Sequence, residues 1–194
     1  MSQKLLESIK IEDGNISNLK YHQDRVDRSR KILYNSQDIL TLSSIIKEYP
    51  KRGLYRCRIV YDSDIESIEY IPYTPKKIDK IKVVKSNIEY GVKYAYRDEL
   101  NDILKSNSDV DEVIIEQNGL LTDTTISNIA FYDGTIWWTP QTPLLEGTIR
   151  AKLLLDGFLH TKNIKKEDLY QYSHLALMNA MLGFKILNNK VSTL

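Results

Sequence analysis

The chain has 194 residues, 42% of them hydrophobic and 27% charged, with eight glycines and five prolines; this balance excludes a disordered chain and allows either one domain or two small lobes. Basic and acidic residues number 27 and 26, for a formal charge of +1, so no field exists to draw the protein to nucleic acid or to an anionic membrane. Cys57 is the only cysteine, which excludes an intrachain disulfide and a cysteine zinc cluster and suits a reducing, cytoplasmic setting.

The first 13 residues alternate charged and apolar positions, without the long uncharged run of a signal peptide or membrane span. Residues 5–11 read as a strand, Asp13-Gly14 as a turn, and residues 19–33 as a helix with one charge-rich face. A second helix is expected over 37–48, ending before Pro50. Residues 54–61 then place Tyr55, Cys57, Ile59 and Tyr61 on one strand face, and Asp62-Ser63-Asp64 turns the chain into a further strand through Tyr73. A hairpin beside helices is an α+β pattern. The Pro- and Lys-containing stretch 73–80 is the best seam, giving a small lobe over 1–78 and a larger, sheet-centred lobe over 79–194.

In the second lobe, residues 98–105 suit a short helix burying Leu100, Ile103 and Leu104. Short apolar runs at 110–116, 120–121, 126–132 and 135–138 follow, punctuated by Asn118-Gly119 and Asp133-Gly134 as hairpin turns. Gly147 opens a helix carrying Ile149, Leu153 and Leu154, and a late strand over 173–178 ends at Asn179-Ala180. Lysines between Lys76 and Lys85 interleave with Ile78, Ile81, Val83 and Val84, the alternation of a half-buried strand rather than a nucleic-acid patch.

No G-x-G-x-x-G, Walker phosphate loop, G-x-S-x-G or H-E-x-x-H occurs, so dinucleotide, nucleotide, serine-hydrolase and zinc chemistries lack their anchors. His22, on the charged helix, and His160, before a Thr-Lys-Asn turn, are expected at the surface. His174, beside a strand, is left open.

Four runs occur in order: Gly91-Val92-Lys93-Tyr94-Ala95-Tyr96-Arg97, then Leu121-Thr122-Asp123-Thr124-Thr125-Ile126-Ser127-Asn128-Ile129, then Thr139-Pro140, then Leu145-Glu146-Gly147-Thr148-Ile149-Arg150. Together they resemble the fold type IV pyridoxal-phosphate enzymes, the class IV aminotransferases with aminodeoxychorismate lyase, branched-chain aminotransferase and D-amino-acid aminotransferase. The likeness runs from about Glu7 to Asn179. It implies a two-lobed α+β fold of the D-amino-acid aminotransferase type, shortened at the N-terminus, and a homodimer acting on an amino acid or amino-substituted acid.

The same resemblance implies roles. Lys93, in a K-x-x-x-R pattern with Arg97, becomes the lysine that links to pyridoxal 5'-phosphate as a Schiff base and shuttles a proton at the substrate carbon. Asp123 stands where the family usually has glutamate against the pyridine nitrogen, one methylene shorter in reach; Ser127 and Asn128 follow it in the cofactor-binding run. Arg25, Thr148, Ile149, Asn179 and Ala180 fall at phosphate-binding positions, and the start of the Gly147 helix suits a dianion. Lys10, where relatives often have arginine, and Arg97 become substrate-binding candidates, Lys10 as a point charge without the arginine fork. The implied activity is 4-amino-4-deoxychorismate lyase, with transamination of D- or branched-chain amino acids, or a non-catalytic binding module, as alternatives.

Overall fold

Alternation along residues 5–12 decides the first sheet in the computed structural model, which describes residues 3–188. Leu5, Ile9 and Ile11 are fully buried on one face of β1 (Leu5–Glu12). The chain turns at Asp13-Gly14 into β2 (Asn15–Ile16), and then forms α1 (Leu19–Tyr34), a one-turn α2 (Leu42–Ile45), and the hairpin β3 (Leu54–Tyr61) and β4 (Ile65–Pro72). The sheet is antiparallel throughout, in the order β2-β1-β3-β4. Its apolar face, with Cys57, Ile59 and Tyr61 from β3, packs with Val26 of α1 and with Leu42 and Ile46.

The helix expected over 37–48 shrinks to the single turn of α2. Side chains of α1 take the backbone groups that a longer helix would use: Gln23 accepts from Leu42 N and donates to Leu40 O, and Arg30, 2% exposed, donates to Asp38 O. Once its ends are satisfied from outside, the segment gains little by coiling further.

The chain divides into two compact units, residues 1–75 with Val92–Tyr96, and residues 76–91 with 97–194. Two expectations are corrected. The seam lies just before Lys76, because Ile78 belongs to the second core and Asp111 accepts from the Asp79 and Lys80 amides. The segment carrying Lys93 belongs to the first unit, not to the larger lobe. Leu6 N donates to Lys93 O, Ala95 N donates to Lys4 O, and Val92 is buried in the first core.

The second unit is a mixed sheet of β5 (Ile81–Lys85), β6 (Glu112–Gln117), β7 (Leu120–Thr124), β8 (Asn128–Tyr132), β9 (Trp137–Pro140) and β10 (Leu159–Lys162), neighbours in that order. The hairpin β11 (His174–Asn179) and β12 (Gly183–Ile186) joins it through β8. Helices α3 (Asp98–Lys105) and α4 (Thr148–Leu155) and a short 3-10 helix, Lys166–Gln171, complete it. Asn118 and Gly119, both at positive φ (53° and 78°), make the two-residue turn from β6 to β7 that the Asn-Gly pair predicts. Ile129 and Phe131 of β8 enter one core, and Ala130 enters another with Ile149 of α4 and Met178 of β11. Asn128 shares the α4 side with Ala130. Among the described residues, no helix is long and apolar enough to cross a membrane.

Candidate active site

In the first unit, H-x-x-R spacing places His22 and Arg25 on one face of α1. They meet Glu7, which alternation sends to the buried side of β1. Arg25 clasps the carboxylate as a fork, Nε to Oε1 at 2.8 Å and Nη2 to Oε2 at 2.6 Å, and His22 Nδ1 lies 2.5 Å from Oε2. Glu7 and His22 are fully buried and Arg25 nearly so. The surface position expected for His22 is therefore overturned, since an imidazole with a buried carboxylate partner need not stay in water.

Burial alone would raise the Glu7 pKa, but the Arg25 charge and the His22 hydrogen bond outweigh it and hold the carboxyl down at about 2. An ionised carboxylate only accepts, so His22 Nδ1 carries the hydrogen. Burial pulls the His22 pKa down; Glu7 opposes this, and the charges of Arg25 and Lys93 reinforce it. The ring is thus neutral at pH 7, and its Nε2 is buried with no hydrogen-bond partner among the described residues. Lys93, half-buried, adjoins this cluster and is anchored through its carbonyl next to Glu7. Lys10 lies on the opposite face of β1, paired with Glu12 at 2.6 Å and across from Arg56.

In the second unit the turn between β7 and β8 brings Asp123 opposite Asn128. Asn128 Nδ2 donates to Asp123 Oδ1 and to Leu145 O, both at 2.7 Å, and Leu145 N donates to Asp123 Oδ2 at 2.9 Å. Burial raises the Asp123 pKa to about 7 against these hydrogen bonds and the charge of Arg150. Arg150 is itself buried and donates to Pro140 O.

Gly147 caps the start of α4 at an ordinary φ of −74°. Glycine is required there by space: a Cβ would stand 2.0 Å from Asn128 Oδ1, and Asn128 is pinned at two points. Gly147→Ala should destabilise the protein by about 1–3 kcal/mol and lower its melting temperature; an unchanged melt would mean that Asn128 swings aside freely. No side chain caps α4, and Thr148 and Ile149 in its first turn are buried. Such a helix start can take an anion on its amides.

Ser127 accepts from Asn179 Nδ2 at 2.9 Å, the same nitrogen donates to Ile126 O, and Asn179 Oδ1 takes the Met181 and Leu182 amides. The Asn179 side chain is thus saturated as a fastener of the Ser127 loop. Ala180, half-buried, sits in that turn. Arg97 donates to Thr125 O, and Thr125 is held in turn by buried Glu112, Oγ1 to Oε1 at 2.7 Å. Arg25 and Lys93 thus share one cluster, and Asp123, Asn128 and the Gly147 turn another. Among the described residues, no group of three His, Cys, Asp or Glu side chains could hold a metal.

Sequence reasoning assigned no role to Glu7, His22, Glu112 or Arg150. The i, i+3 pairing of His22 with Arg25 was the available signal for the first two. Nothing in the sequence marks Glu112, whose partner Thr125 lies 13 residues on.

Residues 4–186 match the family described as amino-transferase class IV. An uncharacterized protein of Haemophilus influenzae is 37% identical over 92% of this chain and 98% of its own. A crystal structure of a candidate 4-amino-4-deoxychorismate lyase from Haemophilus somnus superposes with a TM-score of 0.87 at 37% identity, covering 94% of this chain and 98% of that one. The fold also matches, at 13% identity and a TM-score of 0.78 over 97% of this chain and 81% of the other, a hypothetical aminotransferase of Mycobacterium tuberculosis in its PLP-bound form.

Proposed function

Because this chain belongs to the class IV aminotransferase family, we propose that it is a pyridoxal-phosphate enzyme acting on an amino acid or amino-substituted acid, and that its reaction is elimination of pyruvate from 4-amino-4-deoxychorismate to give 4-aminobenzoate. The observation that carries the cofactor reading is Asp123, a buried carboxylate held on both oxygens. Burial raises this carboxyl to about 7, and a protonated ring nitrogen beside it would return it to the charged form. The uncapped α4 start also suits a phosphorylated ligand. The choice of lyase leans on the Haemophilus somnus relative.

When bound, the cofactor supplies a ring that accepts electrons from the substrate carbon. Lys93 would be the residue that holds the cofactor covalently, and its amine would serve as the acid-base group at the substrate carbon. Asp123, held by Asn128 and Leu145, would be the carboxylate set against the ring nitrogen. Arg25 in the first unit would be a phosphate-binding cation, the amides of Thr148 and Ile149 in the second unit would be phosphate-binding donors, and Arg97 and Lys10 would be the cations offered to substrate carboxylates.

Purified protein mixed with pyridoxal phosphate should show a visible absorption band that borohydride removes, with the reduced label on Lys93, and should release pyruvate and an aromatic amine from 4-amino-4-deoxychorismate. Consumption of a second keto acid would reassign the protein as an aminotransferase of D- or branched-chain amino acids. Neither band nor label would leave a binding module.

A further inference from the structure

The His22 ring sets a puzzle that the proposed chemistry leaves unsolved. Glu7 takes the hydrogen of Nδ1, so Nε2 is a bare acceptor, fully buried and without a partner among the described residues. A buried acceptor beside a phosphate-binding arginine is mismatched, because a phosphate dianion also only accepts. One proton resolves it.

We propose that His22 is a proton-accepting ligand of the phosphate site, positioned by Glu7, and that docking of a phosphate dianion on Arg25 is accompanied by uptake of one proton from solvent onto His22 Nε2. This rests on the reading that Arg25 holds the cofactor phosphate. The balance is simple: neutral imidazole plus a solvent proton becomes imidazolium, which donates through Nδ1 to Glu7 and through Nε2 to a phosphate oxygen. No bond to phosphorus is made or broken.

The groups facing the ring agree with this. Glu7 on β1 favours the charged form, while Arg25 on α1 and Lys93 on the 92–96 segment oppose it. Tyr61 on β3 is buried next to Glu7, and burial raises its pKa, so it stays neutral. Two cations and burial therefore hold His22 neutral until a dianion arrives, and adding about two negative charges beside Arg25 reverses that balance. The ionised Glu7 serves both states, clasping Arg25 and receiving Nδ1–H in each.

The test uses pyridoxine 5'-phosphate, which lacks the aldehyde and so cannot react with Lys93. Calorimetric titration at pH 7.5 in two buffers of different ionisation enthalpy counts the protons taken up. Any exchange between Asp123 and the ring nitrogen is common to wild type and His22→Gln, so the difference between them isolates His22. Wild type should take up about one proton more than His22→Gln, whose affinity should fall about ten- to a hundredfold, the range for a lost charge-assisted hydrogen bond. In case the variant does not fold, nitrogen-15 NMR of the wild-type imidazoles reads the same event directly: the His22 Nε2 signal should move from the unprotonated to the protonated range on binding, while His160 and His174 stay put.

Binding with an equal proton count in both proteins, or with Nε2 still unprotonated, overturns the inference and leaves the cofactor reading intact. If neither pyridoxine phosphate nor pyridoxal phosphate binds wild type, the cofactor reading fails and takes the inference with it.

Discussion

Lys93→Ala should lower turnover by at least about a thousandfold, since it removes both a covalent partner and a general acid-base group. The same substitution should abolish the borohydride-fixed label. The test becomes sharp with Lys93→Arg. Arginine keeps the positive charge that bears on His22, and would restore function if Lys93 acted only as a charge. A guanidinium is always protonated, however, and neither adds to an aldehyde nor takes a proton at carbon. Both variants should therefore be inactive while folding as wild type, checked by circular dichroism. Activity in Lys93→Arg would remove the nucleophile from the proposal.

Glu7→Ala should destabilise the protein by about 3–5 kcal/mol, the cost of leaving a buried charge without its partner, read as a large drop in the urea midpoint. Here the stranded charge is Arg25, 5% exposed. Two carboxyls shifted in opposite directions give opposing limbs to the pH dependence of the cofactor-free protein, on top of the loss of stability below pH 6.5 that follows from the lowered pKa of buried His22. The Glu7 pKa is lowered, from 4.5 unfolded to about 2 folded. Its contribution is complete above the unfolded value and is lost as pH falls through the folded one, about 3 kcal/mol between roughly pH 5 and pH 2. The Asp123 pKa is raised, from 3.8 to about 7. The folded state then holds the extra proton between those values, so stability falls as pH rises from about 4 to 7. Together they give a maximum near pH 4–5 in their contribution. Glu7→Gln should flatten the acid limb and Asp123→Asn the neutral limb. Limbs that stay unchanged in these variants would refute the assignment.

Legibility in the sequence divides by range. Strand β1, helix α1, the β3–β4 hairpin, α3 and the Asn118-Gly119 turn follow from periodicity and turn chemistry. The short elements were less legible. The helix expected over 37–48 collapsed because its polar groups are satisfied by Gln23 and Arg30, on a different element. His22 looks like one more polar residue of a charged helix until β1 supplies Glu7, 15 residues away in sequence.

By itself the sequence determined the family, through the order of motifs around Lys93, Asp123 and Gly147, and the class of the longer elements, through spacing and turn chemistry. Local rules act over three or four residues, and motif order survives in the letters. Only the tertiary structure decided that the Lys93 segment joins the first unit, that Glu7 clasps Arg25 and His22, that Asp123 is held by Asn128 and Leu145, and that Gly147 must be glycine because Asn128 fills the space of its Cβ. The reason is physical: pKa, hydrogen-bond satisfaction and steric fit depend on which groups share a buried volume. That is a property of chain crossings, and no window along the sequence contains it.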